Sequence, residues 1–133
     1  MGVVVEKPIY IRIANSVEGG SLFWRLLIVA EAQSRFTVIE EYVSAAPELS
    51  GYSNAAVEIV VEDGAKVEYV SVQNLSQQTW HFASHHATVG RDAELDWVAG
   101  GFGSGGFGST GVFWTTAVAV AEADVTGAVE GCG

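Results

Sequence analysis

Along most of the chain, apolar and polar residues alternate one by one in short runs rich in Val, Ile, Phe, Tyr and Trp. A period of two marks a strand with one buried face, because successive side chains leave the backbone on opposite sides. Runs with the 3.6-residue spacing of an amphipathic helix are nearly absent, so the pattern predicts an all-β fold.

The runs also repeat. A strand, a tight turn of acidic or small residues, and a second strand with an aromatic or branched residue at fixed offsets recur along the sequence. The copies read Leu27-Ile28-Val29 with Phe36 and Val38; Ile59-Val60-Val61 with Val67 and Tyr69; Ala87-Thr88-Val89 with Leu95 and Trp97; and Val118-Ala119-Val120 with Val125 and Gly127. Phe36, Val67, Leu95 and Val125 are spaced by 31, 28 and 30 residues. So regular a period predicts coils stacked on one another, since each unit is too thin to bury its own apolar face. Stacked at the strand spacing of about 4.8 Å, these four residues form one interior ladder, and Val38, Tyr69 and Trp97 form the next. The expected architecture is a right-handed parallel β-helix with about 30 residues per coil, a single domain over residues 1–133. A β-sandwich competes with it, because Asp63-Gly64 has the chemistry of a two-residue hairpin turn. The equivalent turns Ala32-Gln33-Ser34 and Arg91-Asp92-Ala93 do not, and stacked coils need only a corner there. The glycine-rich stretch from Gly100 to Gly111 reads as a mobile loop before a divergent last coil, residues 112–133.

Charge narrows the function classes. Sixteen acidic residues against six basic ones give a net charge of −10, the wrong sign for a surface that neutralises phosphates, so nucleic acid is not an expected partner. The acids alternate with valines, as in Val57-Glu58-Ile59 and Val67-Glu68-Tyr69, and so read as a solvated strand face. No apolar run approaches the 18 or so residues of a membrane span, and Met1-Gly2-Val3-Val4-Val5-Glu6 lacks the features of a secretory signal. No membrane association and a cytoplasmic location are expected. Cys132 is the single thiol, which rules out a disulfide within the chain.

The motifs that could carry chemistry are weak. Gly101-x-Gly103-x-x-Gly106 matches a dinucleotide fingerprint in form, but Val112-Phe113-Trp114-Thr115-Thr116 reads as a strand where a helix N-terminus must face the pyrophosphate. Gly103 to Thr110 has the spacing of a phosphate loop, with Ser109 where the lysine belongs. His81, His85 and His86 are candidate metal ligands beside Trp80 and Phe82, but on a strand His86 faces away from the other two, and surface or partly packed histidines are the expectation. No serine has the flanking glycines of a nucleophile elbow, and paired acids such as Glu40-Glu41 and Glu62-Asp63 read as solvated. No enzyme is expected.

Longer stretches carry a family resemblance. Leu27-Ile28-Val29-Ala30-Glu31, Val38-Ile39-Glu40-Glu41-Tyr42 and Tyr52-Ser53-Asn54 resemble the core of the SufB/SufD family, nearer SufD in character. The segments from Val57 to Tyr69 and from Val72 to Ser76, then a His-rich strand and Ala93-Glu94-Leu95-Asp96, continue the likeness over residues 3 to 99. The resemblance implies a parallel β-helix and a non-catalytic scaffold role in iron–sulfur cluster assembly, with SufB/SufD-type subunits and the SufC ATPase as partners. Members of the family continue through more coils into a C-terminal helical region that docks SufC. A cluster usually needs four thiolates, so Cys132 with the three histidines does not hold one alone. None is expected unless subunits share it. The rival reading is a β-rich module whose exposed aromatics bind a carbohydrate or a protein. Finally, the apolar segment from Thr115 to Ala121 reads as an uncapped last coil able to pair with its own copy, which predicts a homodimer with Val118 and Val120 at the interface.

Overall fold

The computed structural model describes residues 2–101 and the strand backbone of 112–118. Among the described residues eight strands follow one another without a helix: β1 (Ile9–Asn15), β2 (Gly20–Ala30), β3 (Arg35–Ser44), β4 (Gly51–Val61), β5 (Lys66–Asn74), β6 (Thr79–Val89), β7 (Glu94–Gly101) and β8 (Val112–Val118). They form two sheets, one ordered β1-β3-β5-β7-β8 and one ordered β2-β4-β6. From β1 to β7 every pairing is parallel, Ile9 opposite Val38, Phe36 opposite Val67, and Val67 opposite Leu95. The chain therefore winds as a parallel β-helix of about three turns, roughly 29 residues to each. Parallel pairing at this offset rules out the β-sandwich.

The corners explain why Asp63-Gly64 is not a hairpin. Each coil turns between its two sheets through a tight turn closed by a backbone hydrogen bond three residues apart, Ser34 N–H to Glu31 O and Ala65 N–H to Glu62 O, both at 3.0 Å. The third residue of the turn has left-handed backbone in every coil: Gln33 at φ 61°, Gly64 at φ 69° and Asp92 at φ 54°. That is the requirement of a type II turn, which glycine meets without strain and the other two residues do not. The corners stack through Gln33 N–H to Asp63 O at 3.0 Å and Gly64 N–H to Arg91 O at 2.8 Å.

Between the sheets the described members of the two expected ladders stand in register. Val38, Tyr69 and Trp97 are buried, as are Val67 and Leu95, and Phe36 packs half-buried at the first coil. The opposite sheet contributes Ile28, Ile59 and Ala87 in register, then Ala30, Val61 and Val89. This corrects the first copy by one residue: Ile28, not Leu27, is equivalent to Ile59. Leu27 and Val29 point outward, 58 % and 50 % exposed. A one-residue slip reverses every side chain, so the apolar run Leu26-Leu27-Ile28-Val29 hides a frame that burial makes plain.

A second correction concerns the last copy. β8 pairs antiparallel with β7, Val118 opposite Glu94 and Ala117 opposite Leu95. Val118 thus lies in the five-stranded sheet and is not a stacked equivalent of Ile28, Ile59 and Ala87. An antiparallel strand after a glycine-rich segment folds back along the last coil instead of adding another. Gly100 and Gly101 are the last residues of β7, while the rest of the expected loop lies outside the described residues, as do Val120, Val125, Gly127 and Cys132.

Candidate functional site

The alternation in β3 that sends Val38 and Tyr42 inward also sends Glu40 inward, and this carboxylate is fully buried. It is held by three donors. Trp24 Nε1 and the Tyr42 hydroxyl each donate to Oε1 at 2.9 Å, and the Tyr69 hydroxyl donates to Oε2. No ion pair reaches Glu40 among the described residues, so these hydrogen bonds alone offset its loss of hydration. Both phenols are pushed well above their ordinary range, first by burial and then by the adjacent carboxylate. They remain protonated donors.

The sequence pattern reads Glu40-Glu41 as a pair of solvated acids. Glu41 fits, pairing with Arg12 at 3.4 Å and accepting from the Tyr10 hydroxyl at the outer face. Glu40 does not, and the signal for it is present in the sequence: it falls in phase with Phe36, Val38 and Tyr42, on the inward face.

The histidines divide as the strand period requires, one at the surface and two packed inside. His81 and His85 point inward from β6 and are 4 % and 9 % exposed, while His86 faces out. The His81 ring lies 4.5 Å from that of Tyr42, and His85 meets Trp97 edge-on at 4.8 Å. Burial lowers the His81 pKa to about 4, helped by the neighbouring His85, and burial lowers His85 as well. Both imidazoles are neutral at pH 7. No group of three metal-ligating side chains converges among the described residues. The three histidines are therefore not brought together as a ligand set.

On the outer face of the three-stranded sheet, register places Ser21, Tyr52 and Trp80 in one row and Phe23, Asn54 and Phe82 in the next. The rings of Phe23 and Tyr52 lie 6.1 Å apart and those of Tyr52 and Phe82 5.6 Å apart. Phe23 is 73 % exposed and Trp80 51 %, so this sheet presents an aromatic patch, bordered by the Arg25–Glu58 ion pair. β1 and β2 stand at the edges of their sheets. No helix among the described residues is long and apolar enough to cross a membrane.

A family model described as the SufBD core domain of the SUF system for iron–sulfur cluster assembly matches residues 12–114. Among curated relatives, the iron–sulfur cluster assembly protein SufD of Bacillus subtilis is 32 % identical over 99 residues, which cover 74 % of this chain and 23 % of the relative. A SufBD family protein of Mycobacterium leprae is 29 % identical over 103 residues, 77 % of this chain and 12 % of the relative. One from Staphylococcus aureus is 32 % identical over 102 residues, 77 % of this chain and 22 % of the relative. The chain thus spans less than a quarter of the length of these relatives. No solved structure matches. The β-helix frame and the family match fall on the same residues, and the chain belongs to the SufBD core family of SUF-system iron–sulfur cluster assembly proteins.

Proposed function

We propose that this chain serves as a non-catalytic scaffold in iron–sulfur cluster assembly, acting through association with other subunits. The observation that carries this reading is the SufBD core match laid over nearly all of the described coils. Its relatives are named as assembly proteins, and SufB/SufD-type subunits and the SufC ATPase are the partners this membership suggests. The donor set supports a structural role: His81 and His85 are packed against rings and the one thiol is Cys132, so a cluster would have to be shared between subunits. Pull-down of purified SufC and SufB homologues by the tagged chain tests the proposal, with retention of at least one expected. Retention of neither would sink it. Self-association through the segment containing Val118 and Val120 belongs to the same reading. Light scattering should give a dimer that Val118→Lys or Val120→Lys disrupts, and a clean 14 kDa monomer at high micromolar concentration would remove it.

The aromatic patch of Phe23, Tyr52, Phe82 and Trp80 favours a second reading, a binding module for a carbohydrate or protein surface. A glycan array with Trp80→Ala as control separates the two, since scaffolding predicts no glycan signal.

A further inference from the structure

The solenoid is open at the end formed by β1 and β2. Each is the edge strand of its sheet, and no described strand pairs with the side turned away from β3 and β4. Residues 3–5 lengthen that edge, since the Val3 carbonyl accepts from Arg35 N–H and Val5 N–H donates to the Arg35 carbonyl, both at 2.9 Å. The inward side chains of this first coil are only partly covered. Ile9 is 45 % exposed, whereas Val38, opposite it in the second coil, is 2 % exposed. Ile11, Leu22, Trp24 and Leu26 are likewise part-buried, over the sealed residues Glu40, Ser53, Ala55 and Val57. An edge that offers unpaired backbone beside uncovered apolar side chains is a template for another strand.

Charge selects the kind of strand that fits. From Lys7 to Ala30 three bases stand against one acid, while from Glu31 to Gly101 three bases stand against eleven acids, so the open coil is the cationic part of an acidic chain. Its covered side shows how those bases are used: Arg12 pairs with Glu41 at 3.4 Å, and Arg25 pairs with Glu58, which stands outward between the buried Val57 and Ile59. Both arginines remain mostly exposed after these contacts. A guanidinium has five donors, so each can take a second carboxylate from the open side. A second copy is a poor occupant, because two-fold pairing of the same edge brings like-charged arginines together.

We propose that the open edge of β1 and β2 is a docking surface for a strand of another subunit, apolar on its inward face and bearing carboxylates on its outward face, as Val57-Glu58-Ile59 does within this chain. Backbone hydrogen bonds and coverage of Ile9, Trp24 and Leu26 hold the strand, while Arg12 and Arg25 select for acid. The docked strand belongs to a partner in the proposed scaffold role, on which this assignment rests.

Hydrogen exchange of the full chain with two synthetic peptides of about ten residues tests this, one alternating valine with glutamate and one alternating valine with lysine. The glutamate peptide should slow exchange in β1 and β2 but not in β6, the other edge of the three-stranded sheet, and the lysine peptide should slow neither. Arg12→Gln combined with Arg25→Gln should weaken binding of the glutamate peptide about tenfold, as should raising the salt from about 50 mM to about 500 mM. No slowing, equal slowing by both peptides, or binding indifferent to the arginines would overturn the proposal. So would β1 and β2 amides already protected throughout in the free chain, which would mean that the chain or a second copy covers the edge. The pull-down separates this from the scaffold role: SufB or SufC homologues retained equally by the double variant would refute the edge and leave that role standing. Should the double variant fail to fold, the two peptides on the unmodified chain still decide.

Discussion

Tyr69 and Glu40 sit diagonally across the β3–β5 pair, Tyr69 opposite Val38 and Glu40 opposite Ser71, and the phenol donates to the carboxylate in the interior of the solenoid. Removing the carboxylate leaves two buried phenols and a part-buried indole as donors without that acceptor. Each such group costs about 1–3 kcal/mol, so Glu40→Leu should destabilise by roughly 3 kcal/mol or more in chemical denaturation. Glu40→Gln keeps one acceptor oxygen and should cost less than Glu40→Leu. Adding Tyr69→Phe to Glu40→Leu should recover part of the loss, because a donor deleted with its acceptor no longer needs one. Equal losses for Leu and Gln, or strict additivity with Tyr69→Phe, would contradict this account.

The buried histidines and phenols set opposite pH limits. His81 in the folded chain titrates at about 4, against about 6.5 unfolded, so between these values the unfolded chain binds more protons. Stability should be intact above pH 6.5 and decline as pH falls towards 4, by at most about 1.4 kcal/mol for each pH unit crossed. His81→Phe should flatten this decline. The raised phenols act on the other side: above pH 10 the unfolded chain loses protons that folded Tyr42 and Tyr69 keep, so stability should fall as pH rises beyond 10. Unfolding midpoints from about pH 4 to about pH 11 check both limbs. An acid limb unchanged in His81→Phe would sink the assignment to that residue.

The fold is legible in the sequence because stacking imposes a repeat on it. Phe36, Val67 and Leu95 show it in their spacing, and each occupies the ladder that the spacing predicts. The frame of β2 is not legible, because Leu26 to Val29 are all apolar and a strand whose outer face carries Leu27 and Val29 shows no alternation to read. Val118-Ala119-Val120 mimics a further copy by composition alone. Composition does not carry strand direction, and β8 runs antiparallel. The interior polar site is half legible. Its phase is written in Phe36-x-Val38-x-Glu40-x-Tyr42, but a carboxylate on a buried face is so costly unpaired that local pattern argues against it. Its donors Trp24 and Tyr69 come from positions 16 and 29 residues away, and only the winding of the coils brings them together.

Phase can be tested at neighbouring positions. Leu95 is 2 % exposed and in register with Val67, so Leu95→Asp should bury an unpaired carboxylate and destabilise by several kcal/mol, on the order of 3–5. Glu94 points outward and pairs with Lys66 at 2.6 Å with both side chains partly exposed. Surface pairs of this kind contribute about 0–1 kcal/mol, so Glu94→Lys should cost no more than about 1 kcal/mol. Thermal unfolding of the two variants should differ clearly, and similar midpoints would show that the phase is wrong.

The corners offer a stabilising change. Gln33, Gly64 and Asp92 occupy the same place in successive coils, all with left-handed backbone, and only Gly64 is free of the clash between Cβ and the following carbonyl. For a residue with a side chain that conformation costs roughly 1–2 kcal/mol, while glycine gives back about 0.5–1 kcal/mol through its greater freedom when unfolded. Gln33→Gly should therefore gain a few tenths to about 1 kcal/mol. Asp92→Gly should gain less, because aspartate tolerates the left-handed region better than glutamine and loses less by staying there. The same argument makes Gly64→Ala unfavourable, although the nearest atom to an added Cβ, Gln33 Cγ at 3.4 Å, leaves room for it. The penalty there comes from the backbone and not from crowding. Equilibrium denaturation of the three variants should rank Gln33→Gly above Asp92→Gly, and both above the unmodified chain, with Gly64→Ala below it. A stabilised Gly64→Ala would show that the corner does not require left-handed backbone and would remove the reason for its recurrence in every coil.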